Sequence, residues 1–251
     1  MAYWTIALVT AAGVATWELC LTRLTSLLFF HDMAYIAIAV ALCALSVGAW
    51  FGRRWLTGAS SPEAALSNIV KLLPSSMVLS AVALCSTNLA WGVGAFCAPF
   101  LLLGALLPLL YRMAGPNRQA GVVGLELAGT VIGLSVLGPV LVAACGSATA
   151  MLVAACIAWL ATPMAYTKKN HRWRHTAVAA LIPTLALAGQ FLPDEPWLDV
   201  PVMVDVGVKT HMRSLTERES IDHKATHWSS YARTDLLQSA QGDTAYIFTD
   251  A

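Results

Sequence analysis

Residues 121–166 read GVVGLELAGTVIGLSVLGPVLVAACGSATAMLVAACIAWLATPMAY, and the only charged side chain in that run is Glu126. A hydrocarbon core of ~30 Å is crossed by roughly 20 apolar residues at 1.5 Å each, so a run of this length is too long for one crossing. Gly146-Ser147 divides it. The run therefore predicts two spans, Gly121–Cys145 and Ser147–Tyr166, folded back on each other as a tight hairpin.

Working outward, apolar runs of similar length predict five more spans, near Tyr3–Leu24, Met33–Phe51, Lys71–Ala90, Trp91–Met113 and Thr176–Leu192. The third and fourth meet at a short polar break, Ser86-Thr87-Asn88. A longer connection leads into the third span and contains a helix start, with Ser60 as N-cap, Pro62 in the first turn and Glu63 three residues on. The fold class expected is an all-α polytopic membrane bundle of about seven transmembrane helices over 1–193. A small, β-containing polar C-terminal tail follows over 194–251.

Composition agrees. Of 251 residues, 58% are hydrophobic and 12% charged, which excludes a disordered chain, a fibrous repeat and an ordinary soluble domain. The net charge of +1 conceals an uneven distribution: residues 1–193 carry +6 and residues 194–251 carry −5. With seven spans, nine of the ten basic residues of the apolar block share the side of the N-terminus: Arg53, Arg54, Lys71, Arg112, Arg118, Lys168, Lys169, Arg172 and Arg174. Arg23 alone lies on the other side. The positive-inside rule then places the N-terminus in the cytoplasm and the tail outside, in the periplasm of a bacterial inner membrane protein. The first apolar run lacks a basic leader and contains Glu18, so a cleaved signal peptide is not expected.

Ionisable groups at bilayer depth cost free energy unless paired, and they are the sharpest site candidates. Glu18 and Arg23 near the end of the first span, and His31 and Asp32 at the start of the second, form a candidate polar cluster at the outer face. Five helical positions turn through about 140°, so Arg23 reaches Asp32 across the loop more easily than it reaches Glu18. The cluster reads as a pin for the first hairpin or, alternatively, as a proton, cation or polyamine site. On the inner side, Arg112 and Glu126 form a candidate intramembrane pair, with Arg118 also in reach, holding the hairpin between the fourth and fifth spans.

Other signals are structural. Cys20, Cys43, Cys85, Cys97, Cys145 and Cys156 fall one per span in the first six spans, without a CxxC pair, and read as small packing residues. Gly129 and Gly133 form a GxxxG, and Ala37, Ala41, Ala44 and Gly48 line the second span, both suited to close helix approach. Pro99, Pro108, Pro139 and Pro183 predict kinks. Trp4, Trp50, Trp55, Trp91 and Trp173 fit interfacial anchors. The tail reads as β-rich at its end: Asp199–Val208 alternates loosely, Thr226–Leu237 carries the aromatic pair Trp228 and Tyr231, and Ala245–Thr249 has a short strand pattern, while His223 and His227 stand four apart without helical flanks, so no metal site is read there. No cofactor loop, catalytic constellation or nucleic-acid signature is read.

Three segments resemble the membrane domain of bacterial membrane-bound spermidine synthase-like proteins: Trp17-Glu18-Leu-Cys-Leu-Thr-Arg23-Leu24, Pro99-Phe-Leu-Leu-Leu-Gly104-Ala-Leu-Leu-Pro108-Leu-Leu, and Gly124-Leu-Glu126-Leu-Ala-Gly129-Thr-Val-Ile-Gly133. In the tail, Trp228-Ser-Ser-Tyr-Ala-Arg233-Thr-Asp235-Leu-Leu and Tyr246-Ile-Phe-Thr-Asp250 resemble the β-segment that opens the family's aminopropyltransferase domain. The resemblance implies that the glycine-rich loop and catalytic aspartate of that domain lie beyond these motifs, so no residue here carries over as catalytic. It also implies a cytoplasmic aminopropyl donor, whereas the charge distribution sends the tail outside. The expected function is a non-enzymatic membrane subunit that scaffolds or stabilises a larger membrane complex, in contact with the lipid bilayer and other membrane subunits, its tail meeting a partner on the outer face. The alternatives are the membrane half of a split or truncated aminopropyltransferase-like enzyme and, third, a small-molecule transporter.

Overall fold

The computed structural model describes residues 2–28, 31–58, 61–85, 89–165, 169–191, 221–229, 233–239 and 245–250. Uninterrupted Ala- and Leu-rich runs wind into α1 (Ala2–Leu28), α2 (His31–Gly58), α3 (Pro62–Cys85) and α4 (Leu89–Ala114). A 3-10 turn at Pro116–Arg118 leads into α5 (Gln119–Ile132). Beyond it come a π-helical segment at Gly133–Leu137, α6 (Gly138–Trp159), the single turn α7 (Thr162–Ala165) and α8 (Lys169–Phe191). Among the described residues, five stretches are long and apolar enough to cross a membrane: Tyr3–Thr25, Tyr35–Arg54, Pro62–Leu84, Ala95–Ala114 and Pro116–Ala165. Thr176–Phe191 is a shorter apolar helix.

Pro139 accounts for the π segment. Its ring nitrogen has no proton to donate to the carbonyl of Ser135, and its ring crowds that carbonyl. The chain widens by one residue instead, and the Gly138 N–H donates to the Gly133 carbonyl five positions back. Gly146 accounts for the second irregularity. Its φ of 76° and ψ of 165° lie where a side chain is disfavoured, and they break α6 into two arms.

The two arms run in opposite directions along α1. Before the break, Gly129, Gly133 and Gly138 lie against Leu8, Ala12 and Leu19 in ascending order. After it, Gly13 meets Ala154 and Ala158, and Ala161 joins Ile6 and Ala7 in one apolar cluster. The hairpin expected at Gly146-Ser147 is thus present, and it clasps α1. The GxxxG of Gly129 and Gly133 is used there: a Cβ on Gly133 would stand 2.5 Å from the Ala12 carbonyl oxygen.

Helices α2 and α4 run parallel, with Gly48 against the Leu101 backbone, Gly52 against that of Ala105, and Gly104 against that of Leu45. Helix α3 packs on α4, α6 and α8. The core divides into two layers. One holds Trp17, Leu21, Met77, Phe96, Phe100 and Met151; the other holds Ile6, Leu66, Leu106, Leu110, Val122 and Ala161. Burial is uneven between helices, at 67% of the apolar window in α1 and 28% in α2.

Two expectations near α3 are corrected. The helix start expected ahead of the third span is used, with Pro62 in the first turn, but that helix runs unbroken through the span expected from Lys71, so the connection from α2 is short and the half-buried Lys71 lies inside an apolar helix. A lysine can do this because its four-carbon stem lies along apolar surface while the ammonium reaches outward. The N-cap is Ser61, whose Oγ accepts from the Ala64 N–H at 3.3 Å; Ser60 lies outside the described residues.

Beyond the helices, β1 (Ile221–Trp228), β2 (Arg233–Ser239) and β3 (Ala245–Asp250) pair antiparallel in that order, with an irregularity between His223 and Ala225. The segment Asp199–Val208 lies outside the described residues.

Candidate functional site

Among the described residues, side-chain hydrogen bonds join one helical segment to another at several places, one of them from Gln119 Nε2 at the start of α5 to the Tyr111 carbonyl on α4 at 3.3 Å. Thr16 Oγ1 on α1 donates to the Gly133 carbonyl at 3.3 Å, and Ser80 Oγ on α3 donates to the Ala95 carbonyl on α4. Thr162 Oγ1 on α7 donates to the Val70 carbonyl on α3 at 3.4 Å. Helix α8 is tied to α6 twice: the Trp159 indole N–H donates to the Thr176 carbonyl at 3.0 Å, and Gln190 Nε2 donates to Thr149 Oγ1, also at 3.0 Å. One of them involves a carboxylate. Tyr111 Oη on α4 donates to Glu126 Oε2 on α5 at 2.5 Å.

Glu126 thus has a partner on α4, as expected of a hairpin staple: its carboxylate accepts from Tyr111, the neighbour of Arg112. Glu126 is half-buried, while Arg112 is exposed in the last turn of α4 and Arg118 is exposed in the 3-10 turn. Thr130 Oγ1 also donates to the Glu126 backbone carbonyl, at 3.1 Å. A search for opposite charges passes over Tyr111. The available signal was a phenol at the end of the fourth span, facing the same loop as the only acid of the fifth.

At the other end of α1, Glu18 and Arg23 are both half-buried, one on either side of the buried Cys20 and Leu21. His31 and Asp32 begin α2, and their side chains lie outside the described residues. The adjoining core is aromatic. Trp17 is fully buried and meets Phe100 edge-on, and Phe96 lies 5.5 Å from Phe100 between centroids. Among the described residues, the Trp17 indole N–H has no hydrogen-bond partner, nor do the buried hydroxyls of Ser147 and Thr176. Such a group costs about 1–3 kcal/mol. Trp17 is the residue the polar search overlooks, since its polar atom counts as aromatic bulk in a hydropathy profile.

The cysteines are not uniformly buried. Cys20 is buried, Cys97, Cys145 and Cys156 are half-buried, and Cys43 is exposed on α2; all five carry free thiols. The side chain of Cys85 lies outside the described residues. In β1 the chain is extended, so His223 and His227 stand about 13 Å apart along the strand at ~3.3 Å per residue.

The arrangement is one of cross-links. Hydroxyl, amide and carboxylate groups span neighbouring helices, and glycines allow their backbones to touch. No family model, curated protein or solved structure matches the chain.

Proposed function

We propose that the chain is a multi-pass integral membrane subunit that scaffolds or stabilises a larger membrane assembly without itself carrying out catalysis. The observation that carries this reading is the contrast between α1 and α2. Helix α1 is enclosed by α2, α4, α5 and α6 and cross-linked to its surroundings, whereas α2 is held against α4 by glycines, with a smaller contact to α1, and directs Tyr35, Leu42, Val47, Trp50 and Phe51 outward. A rigid centre with one broadly exposed apolar helix suits a body that other membrane helices pack against.

Seven crossings are supported by the reversal at Gly146, which turns Pro116–Ala165 into two arms, and by α8 as the last. The positive-inside bias of Arg53, Arg54, Arg112 and Arg118 supports a cytoplasmic N-terminus and an external tail, in a bacterial inner membrane. Isolation of the protein from its native membrane in mild detergent, followed by mass spectrometry, tests the proposal. Stoichiometric membrane partners are expected; a chain that purifies alone overturns it.

A second reading, the membrane half of an aminopropyltransferase-like protein, draws on the spermidine synthase-like motifs around Trp17-Glu18, Pro99–Pro108 and Glu126–Gly133. Spermidine-dependent thermal stabilisation of the purified protein would favour it over the subunit reading.

A further inference from the structure

The parallel packing of α2 and α4 brings their C-terminal turns to one end of the bundle. Gly48 sits on Leu101 and Gly52 on Ala105, so Arg53 and Arg54 of α2 follow directly after the contact, on the same end as Arg112 of α4 and Arg118 of the next turn. Leu66 and Ile69 of α3 share a cluster with Leu106 and Leu109, which puts the exposed Glu63 at this end too. Glu126 is the other described acid here, so arginines outnumber acids among the described residues at this end.

Arg53 and Arg54 are exposed, and the Arg54 guanidinium lies 5.5 Å above the centroid of the Trp50 ring. Trp50 in turn meets Phe51 edge-on at 4.9 Å, and the two rings are 56% and 54% exposed. A charged fork thus stands beside an outward-facing aromatic pair, within one helical turn.

We propose that this end of α2, through Arg53, Arg54 and Trp50, binds the headgroup of an anionic phospholipid. Guanidinium groups match phosphate oxygens in pairs, and an indole favours the boundary between headgroup and acyl chain. The aromatic pair selects lipid over free phosphate. A small ion would leave Trp50 and Phe51 uncovered, whereas the glycerol and upper acyl carbons of a lipid lie against them. The proposal rests on the membrane reading above and is independent of whether the chain is a subunit.

Native mass spectrometry of the purified full-length protein in detergent, with phosphatidylglycerol or phosphatidylcholine added at equal concentration, tests it. Wild type is expected to retain phosphatidylglycerol preferentially, and Arg53→Gln/Arg54→Gln to lose roughly thirtyfold of that preference. Arg53→Lys/Arg54→Lys is expected to keep part of it, and helical circular dichroism identifies any variant that fails to fold. Equal retention of the two lipids by wild type, an undiminished preference in the Gln double variant, or full displacement of lipid by millimolar inorganic phosphate each overturns the proposal. Resistance of the protein to alkaline carbonate extraction from membranes checks the membrane reading separately. A protein that resists extraction but shows no lipid preference sinks the headgroup site alone.

Discussion

The Trp17 indole meets the Phe100 ring edge-on, with centroids 5.5 Å apart and ring planes 63° apart, and so joins α1 to α4 in the centre of one core layer. Both side chains are fully buried. Trp17→Ala leaves a void that closely packed neighbours cannot fill and should cost about 3–5 kcal/mol. Trp17→Phe should cost less than half as much, because it keeps a ring against Phe100 and removes an indole N–H that has no partner among the described residues. Thermal unfolding in detergent, followed by helical circular dichroism, separates the two. Equal losses would mean that the N–H is satisfied.

Gly48 and Gly124 are both helical glycines, and they should respond oppositely to added bulk. A Cβ on Gly48 runs into the Leu101 carbonyl, while one on Gly124 meets nothing within 4 Å. Gly48→Val should therefore destabilise the protein by about 1–3 kcal/mol as α2 is pushed from α4. Gly124→Ala should stabilise it by about 0.5–1 kcal/mol through helix propensity alone. The same melting experiment reads both, and a shift of like sign would refute the backbone contact.

Tyr111→Phe removes the hydrogen bond to Glu126 and leaves the ring in place. A loss of about 1–2 kcal/mol is expected, with Glu126→Gln less affected because an amide oxygen can still accept from the phenol. The double variant Tyr111→Phe/Glu126→Gln should be less destabilised than the sum of the single losses. Additivity in this cycle would show that the two side chains do not interact.

Ser61→Ala deletes the acceptor for the Ala64 N–H at the start of α3. The expected cost is about 0.5–1 kcal/mol, recovered largely by Ser61→Asp, which also caps and places a negative charge at the helix N-terminus. Ser60→Ala should be neutral by the same measurement, which distinguishes the two candidate caps.

Much of the bundle is legible from residue order because lipid-length apolar runs and their glycine or polar breaks are local properties. Gly146 illustrates this: a glycine-serine step inside a long apolar run predicts the reversal that its positive φ allows. Lys71 illustrates the opposite. Its charge sets it at the edge of the expected span, yet a lysine stem is apolar for most of its length, and α3 begins nine residues earlier. The contacts between helices are less legible still. Gly48 and Gly52 are visible as small residues, but that they face Leu101 and Ala105 depends on which helices become neighbours. Among the site candidates, Glu126 is found by its charge, whereas its partner Tyr111 and the core donor of Trp17 are neutral and escape that search.

The wide turn at Gly133–Leu137 has a geometric consequence for the stripe that touches α1. In an unbroken α-helix, a residue five positions after Gly133 would be rotated about 140° away from it. By admitting one extra residue per turn, the π segment brings Gly138 back into line with Gly129 and Gly133, so all three glycines meet α1, against Leu8, Ala12 and Leu19. Pro139, which on its own would bend the helix, therefore resets its angular phase. A four-residue spacing followed by a five-residue spacing, closed by a proline, becomes one continuous contact line.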